Sequence, residues 1–304
     1  MGSVRNGRKK SYVVFSVILL IVLAILFLFP LYWIVTGSVK DKADILIKAG
    51  ESVRWIPFTD VSPTLANYDN LFRSTTELFR FEAFGYTVTG PEIPMALRWL
   101  FNSVFISVMA MLLSCITASL AGYVLAKKRF YGRAALFTLF VCAMALPKQV
   151  ILIPLLSLST FLGIANTSWA VICPVVGWPF GVFLMKQFSE TIPSEMLEAA
   201  RIDGAGEVRT FWSVVMPLIK PGFGALAIFT FINAWNEYPL QLVMLTDNVE
   251  KTIALGIAGL QSSDSTDYGL IMAGAALASV PIIIIFLIFQ KYFTQGITMG
   301  AVKG

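Results

Sequence analysis

The chain has 304 residues, of which 57% are hydrophobic and only 13% are charged, and its formal net charge is +5. Soluble domains usually carry roughly a quarter charged residues, so the composition excludes an ordinary soluble fold and predicts one membrane domain. The basic residues lie between apolar runs instead of forming one basic face, which excludes a nucleic-acid partner and fits contact with membrane lipid.

Cysteine and histidine usage removes several classes of site. The sequence contains no histidine, so histidine-based catalysis and histidine metal ligands are excluded. Its cysteines lie inside apolar runs and are expected to pack as small hydrophobic residues: Cys115, Cys142 and Cys173. We therefore expect no catalytic residue and no metal site.

Apolar runs long enough to cross a bilayer need about 20 residues. Six runs qualify, and they predict an all-α membrane protein with six transmembrane helices over 12–35, 97–126, 134–161, 169–188, 214–245 and 270–293. The first run follows a basic segment, 1–11, and is too long for a signal peptide. It is interpreted as a retained transmembrane helix.

The distribution of lysine and arginine predicts the orientation of these helices. If the N-terminus is cytoplasmic, most of the 23 basic residues fall on the cytoplasmic side, as the positive-inside rule requires. Both termini are therefore expected in the cytoplasm. The predicted organisation is an N-terminal segment (1–11), a first helix (12–35), an extracytoplasmic loop (36–96), a permease core (97–293) and a C-terminal tail (294–304).

The cytoplasmic segment 190–217 is predicted to form two short helices. Ser194 is a candidate N-cap, and acidic residues that follow it, Glu195 and Glu198, suit the positive end of a helix. Gly204 permits a sharp break, and a second helix is predicted from 207 to about 215. Taken alone, these features describe either a docking knob or an ordinary interfacial helix.

This segment resembles the Glu-Ala-Ala loop of permease subunits in ATP-binding-cassette (ABC) importers. The residues that carry the resemblance are Glu198, Ala199, Ala200, Asp203, Gly204, Ala205, Val215 and Pro217. The resemblance implies a type I importer permease fold and a loop that couples transport to ATPase subunits. By the same resemblance, Glu198 would contact the ATPase, and Asp203 and Gly204 would set the turn between the two helices.

Two further segments resemble the second permease subunit of maltose-type sugar importers. One is the Trp-Asn-Glu-aromatic stretch in the fifth run, 231–240, and the other is the glycine-rich end of the chain. In that subunit the tail inserts between the ATPases, which implies ATPase contacts for Gly300, Val302, Lys303 and Gly304. The long loop 37–96 is where the resemblance is poorest.

Charged residues inside apolar runs are candidate functional groups. Glu237 either caps a kink by pairing with Asn233 or Asn236, lines the substrate path or lies near the outer interface. Lys148 either marks a cavity or pairs with an acid. The candidate substrate path comprises Asn233, Trp235, Asn236, Glu237 and Tyr238.

The leading hypothesis is a permease subunit of an importer for a sugar, more specifically an oligosaccharide. It would work by alternating access in a bacterial or archaeal cytoplasmic membrane. Its expected partners are a second permease subunit, two ATPase subunits and an extracytoplasmic sugar-binding protein. The chain has no Gly-x-x-x-x-Gly-Lys-Ser/Thr motif, so ATP–Mg is expected on the partners and no cofactor on this chain. The alternatives are an ion-gradient-driven secondary transporter and, last, a membrane-embedded enzyme.

Overall fold

The computed structural model describes residues 3–46, 63–78, 80–83, 86–261 and 266–301, and these are mainly helical. Within these residues four helices are long and apolar enough to cross a membrane, and the number of spans rises to six if each of two bent helix pairs is one span. The predicted helical membrane fold is confirmed. The chain divides into two compact units, one of 1–75 with 257–277 and one of 76–256 with 278–304.

The first unit begins with a long apolar helix. It contains α1 (Ser3–Ser38), α2 (Lys42–Ile45) and α3 (Ala66–Leu71). In α1 the most apolar window has a mean hydropathy of 3.2 and contains no buried residue, as expected for a helix that faces lipid. Asn67 of α3 holds the end of α1, because its amide donates to the Ser38 and Lys40 carbonyls at 2.9 and 2.8 Å.

Four short strands precede the second span, a local departure from the all-α prediction. They are β1 (Thr75–Glu77), β2 (Arg80–Ala83), β3 (Tyr86–Thr89) and β4 (Glu92–Pro94). Strand β2 pairs antiparallel with β3, and β1 pairs with β4. Pairing satisfies the backbone polar groups of a segment too polar to enter the membrane.

The second unit is organised around α4 (Met95–Lys127), on which three other helices pack: α7 (Ser168–Val176), α8 (Pro179–Glu190) and α12 (Lys220–Asn236). The buried face of α4 is rich in alanine, serine and glycine. Small side chains let helix backbones approach closely. At Gly122 of α4, a Cβ atom would lie only 2.6 Å from the backbone nitrogen of Lys186 in α8.

Prolines break the third and fourth spans. The third consists of α5 (Arg133–Met144), a 3-10 turn (Lys148–Ile151) and α6 (Leu152–Phe161), and its two halves are bent by 98°. In the fourth span, α7 and α8 are separated by Gly177 and Trp178, and the Trp178 backbone is extended ahead of Pro179. A residue before proline is disfavoured in the helical conformation, and proline lacks the N–H that would continue a helix.

The fifth predicted helix, 214–245, is wrong in its bounds. The chain forms α9 (Ser194–Ile202), α10 (Glu207–Thr210), a π-helical turn (Phe211–Val215), α11 (Met216–Leu218), α12, and α13 (Tyr238–Met244). The segment 207–218 is bent by 80° from α12. Glu237 then interrupts the helix between α12 and α13. The apolar run is therefore divided among several short elements and does not form one continuous helix.

The last elements are α14 (Ile253–Ala258) and α15 (Tyr268–Ala301). Helix α15 continues beyond the predicted span 270–293 and includes most of the segment predicted to be a tail, 294–304. Its apolar window, Tyr268–Gln290, has a mean hydropathy of 2.7, so it is long enough to cross a bilayer and extend past it.

Candidate functional site

The Glu-Ala-Ala loop, defined here as residues 190–217, begins with helix α9. Ser194 is its first helical residue and Pro193 precedes it with an extended backbone, so the predicted N-cap role of Ser194 is wrong. Proline pre-sets the backbone angle but supplies no side-chain acceptor. Glu195 lies in the first turn, where its charge favours the helix dipole.

The turn after α9 is a glycine-terminated helix end. Gly204 has φ +77°, the left-handed conformation expected at the sharp break. The N–H of Ala205 donates to the Ala200 carbonyl at 2.9 Å, and the N–H of Gly204 donates to the Arg201 carbonyl at 3.0 Å. This pair of bonds is a Schellman motif. No atom lies within 4 Å of a Cβ built on Gly204, so the requirement for glycine is conformational and not steric.

Lysines at the end of α4 fix the loop to the membrane helices. The Lys127 ammonium donates to the carbonyls of Glu190 and Ile192 at 3.1 and 2.5 Å. Lys128 forms an ion pair with Glu207, and its hydrogen bond lowers the pKa of the Glu207 carboxyl. Glu207 is exposed, so this pair contributes little stability by itself, but it fixes the start of α10.

The loop turns one face to the protein and one to solvent. Leu197 and Ala200 are buried, whereas Glu198, Ala199 and Asp203 are exposed. Two large apolar side chains flank the turn and are also exposed, Ile202 by 87% and Val208 by 74%. Exposed apolar side chains next to a well-defined turn are typical of a docking surface.

The loop joins the fifth span through a π-helical turn. The N–H of Met216 donates to the Phe211 carbonyl, which is an i to i+5 bond. Pro217 has no N–H with which to continue an α-helical ladder, and such π turns often mark functional positions. Phe211 and Val215 are buried, so the turn is anchored in the second unit.

A second candidate site is a partly open cavity within the second unit, here called the membrane cavity. Its wall is mainly apolar. The side chains that distinguish it are Lys148, Trp178, Phe180, Phe229, Asn233 and Glu237. A mainly apolar cavity with a few convergent polar groups is the usual form of a small-molecule site.

Lys148 and Glu237 form an ion pair at this cavity. The Lys148 Nζ lies 2.8 Å from Glu237 Oε2 and 4.5 Å from the centroid of the Trp178 ring. The predicted pairing of Glu237 with a neighbouring asparagine is wrong. Asn233 and Asn236 each donate to a carbonyl one turn earlier in their own helix, those of Phe229 and Ile232.

The predicted substrate path is only partly at the cavity. Asn233 and Glu237 line it. Trp235 does not, because it is buried and stacked on Phe231 with ring centroids 5.6 Å apart. Asn236 and Tyr238 are exposed and lie outside the lining. Helical periodicity explains why two of the five predicted residues line the cavity and three do not. Of the five, residues 233 and 237 are the two that lie one helical turn apart and so share a face.

Sequence reasoning missed the aromatic part of the cavity. Trp178, Phe180 and Phe229 line it, and Phe180 packs against Phe229 with ring centroids 4.4 Å apart. The sequence signal that could have indicated these residues is the Trp178-Pro179 pair, because its proline breaks a span in the same way as the proline of Pro147-Lys148. Of the predicted ATPase-contacting tail, Gly300 lies within α15, and Val302, Lys303 and Gly304 lie outside the described residues.

Comparison with known proteins identifies the family. Residues 118–299 match the family described as the inner-membrane component of binding-protein-dependent transport systems. The arabinooligosaccharides transport system permease protein of Bacillus subtilis is 32% identical over 93% of this chain and 92% of its own length. The melibiose/raffinose/stachyose import permease protein of the same organism is 31% identical over 99% of this chain and 100% of its own length.

A solved structure has the same fold. A chain of a bacterial ABC transporter that imports the acidic polysaccharide alginate aligns with a TM-score of 0.74 at 20% identity, covering 94% of this chain and 98% of that chain. This likeness shows the type I importer permease fold. The family match spans more than half of the chain, and the relatives align over nearly all of it. The chain therefore belongs to the inner-membrane components of binding-protein-dependent transport systems, the permease subunits of ABC importers.

Proposed function

We propose that this permease subunit imports an oligosaccharide by alternating access, driven by ATP that partner subunits hydrolyse. The observation that carries the proposal is the set of relatives that align along nearly the whole chain. Their names assign them to arabinooligosaccharides, to melibiose, raffinose and stachyose, and to galactooligosaccharides. The expected location is a bacterial or archaeal cytoplasmic membrane.

The proposed assembly contains this chain, a second permease subunit, two ATPase subunits and an extracytoplasmic sugar-binding protein. ATP–Mg would bind the ATPases, since this sequence has no phosphate-binding loop motif. Membership of this family also argues against the alternative of an ion-gradient-driven transporter. The two intramembrane charges that would have served ion coupling, Lys148 and Glu237, pair with each other.

The Glu-Ala-Ala loop supports docking of an ATPase subunit. Its exposed Glu198 supplies a charge and its exposed Ile202 and Val208 supply apolar area. The turn between α9 and α10 is held by backbone bonds and by Lys128, so a force on α9 would reach α12 without first deforming the loop. Rigid transmission of this kind is what a coupling element requires.

The outer segment 246–252 supports docking of the binding protein, because it is held firmly against α4. Asn102 donates to the Val249 and Lys251 carbonyls at 2.7 and 3.0 Å, and Trp99 Nε1 donates to the Asn248 carbonyl at 2.7 Å. Arg98 adds an ion pair with Glu250 at 3.6 Å. A preorganised loop loses less entropy on binding than a flexible one.

Asn102→Ala is expected to weaken this docking. Loss of the amide removes hydrogen bonds to two carbonyls in a partly buried setting, each worth about 0.5–1.5 kcal/mol. We expect the binding-protein concentration for half-maximal ATPase stimulation to rise roughly fivefold. Titration of the reconstituted complex measures it. The matched control is Asn236→Ala, whose amide is exposed and bonds only within its own helix. Equal values for the two variants would contradict the docking role.

The proposed function is tested by purifying the tagged chain from its native membrane in mild detergent. We expect two copies of an ABC ATPase and one different permease to be recovered with it. In proteoliposomes, the complex with its binding protein should take up an oligosaccharide only when ATP is present. Recovery of the chain as a monomer or homo-oligomer without an ATPase, or uptake that an uncoupler abolishes while ATP is maintained, would refute the proposal.

A further inference from the structure

The membrane cavity is built where three broken spans meet. Lys148 follows Pro147 at the 98° bend, Trp178 lies in the break between α7 and α8, and Glu237 lies in the break between α12 and α13. Each of these residues lies within two positions of a proline. Non-helical backbone at membrane depth is tolerated where it lines a cavity, and transporters place substrate groups at such breaks. The convergence of the three breaks indicates a binding site.

The pair at this site retains hydrogen-bonding capacity. Lys148 and Glu237 are 35% and 14% exposed, and both side chains line the cavity. Among the described residues, the Glu237 carboxylate is bonded through Oε2, which leaves Oε1 as an acceptor. An ammonium group has three donors, so Lys148 can bond a ligand while it keeps its partner. Asn233 uses its amide nitrogen on the Phe229 carbonyl, which leaves its amide oxygen to accept.

The charge of the cavity is balanced. Among its described lining residues, Lys148 and Glu237 are the two ionisable side chains, and they neutralise each other. An anionic ligand that bound Lys148 would leave the Glu237 carboxylate, which is 14% exposed, without its counter-charge at a mainly apolar wall, which is unfavourable. An uncharged ligand with hydroxyl groups can bond both members of the pair and leave it intact. The aromatic side chains at the wall, Trp178 and Phe229, suit the apolar faces of pyranose rings.

We propose that the membrane cavity is a sugar subsite of this subunit, and that the Lys148–Glu237 pair makes it selective for uncharged over anionic sugars. The inference rests on the proposed function and deepens it. The proposed preference for uncharged sugars would distinguish this chain from the structurally similar transporter, which imports the acidic polysaccharide alginate.

The experiment measures sugar binding by the whole transporter complex, with the binding protein left out so that its selectivity does not contribute. The purified complex is held in its nucleotide-bound state with a non-hydrolysable ATP analogue. The uncharged probes are raffinose, arabinotriose and galactotriose, and the anionic probe is trigalacturonate. We expect the best uncharged probe to bind at least about tenfold more tightly than trigalacturonate.

The decisive variant is Glu237→Gln, which keeps the shape of the side chain and leaves Lys148 as an uncompensated cation. We expect the ratio of the two affinities to move toward trigalacturonate by roughly tenfold or more. The matched control is Lys186→Gln, because Lys186 is also ion-paired, with Glu190 at 2.6 Å, and lies outside both the cavity lining and the Glu-Ala-Ala loop. It should leave the ratio unchanged. If Glu237→Gln destabilises the complex, the exchanged pair Lys148→Glu/Glu237→Lys should retain the wild-type preference.

Three results would overturn the inference: binding of none of the uncharged probes, equal wild-type affinity for charged and uncharged probes, or an unchanged ratio in Glu237→Gln. Failure of the proposed function would look different. In that case no complex with ATPase subunits would be recovered, whereas failure of this inference would leave an assembled, transporting complex whose charge preference does not depend on Glu237.

Discussion

Replacing Gly204 with threonine is expected to lower the amount of sugar transported per ATP hydrolysed by roughly tenfold. Gly204 has φ +77°, a conformation that costs an L-residue about 1–2 kcal/mol and a β-branched residue more. The turn would relax to negative φ, the two bonds of the Schellman motif would break, and α9 would change direction relative to α10. ATPase subunits that still hydrolyse ATP would then no longer move the membrane helices. Uptake and phosphate release are measured together in proteoliposomes.

Gly206→Thr is the matched control for this prediction. Gly206 also has open space around it, but its φ is −69° and it precedes α10 at the N-cap position. Threonine is about as favourable as glycine at an N-cap, so this variant should transport normally. A Gly204→Thr complex with the wild-type ratio of sugar to ATP would show that the turn geometry does not matter for coupling.

Gly122→Ala is expected to have the largest effect on stability. Its new Cβ would lie 2.6 Å from two backbone atoms of α8, Lys186 N and Met185 C. Backbone atoms cannot rotate away, so α4 and α8 must separate along their contact. Overpacking costs typically about 1–3 kcal/mol, and we expect the upper end of that range here. The measurement is the temperature at which half of the detergent-solubilised complex aggregates, which should fall by several degrees.

Gly177→Ala provides the comparison. Gly177 is the residue after α7, and its Cβ would lie 3.6 Å from the nearest atom, the Cys173 carbonyl oxygen, which is ordinary contact. Its φ of −71° suits alanine. The aggregation temperature of this variant should stay near that of the wild type. If both variants aggregate at the same temperature, close packing of α4 on α8 is not what stabilises the second unit.

The sequence by itself determined the class of protein and the number of apolar runs. The cost of placing polar backbone and charged side chains in lipid is large and depends little on tertiary context, so composition and run length suffice. The local chemistry of the Glu-Ala-Ala loop was also accessible, because the positive φ of Gly204 depends on a residue type that tolerates it. The predicted N-cap role of Ser194 was wrong because Pro193 occupies the N-cap position and Ser194 is already the first helical residue.

Only the tertiary structure decided which charged residues meet. Glu237 has two asparagines close to it in the sequence, yet its partner is Lys148, 89 residues away. Trp235 was predicted to lie on the substrate path and Trp178 was not, but packing on Phe231 buries Trp235, whereas the break before Pro179 brings Trp178 to the cavity. Hydropathy measures how favourably each residue enters lipid, whereas ion pairs and cavities depend on how broken helices fold back on one another. That arrangement is set by long-range packing of small residues along α4, which a single sequence does not specify.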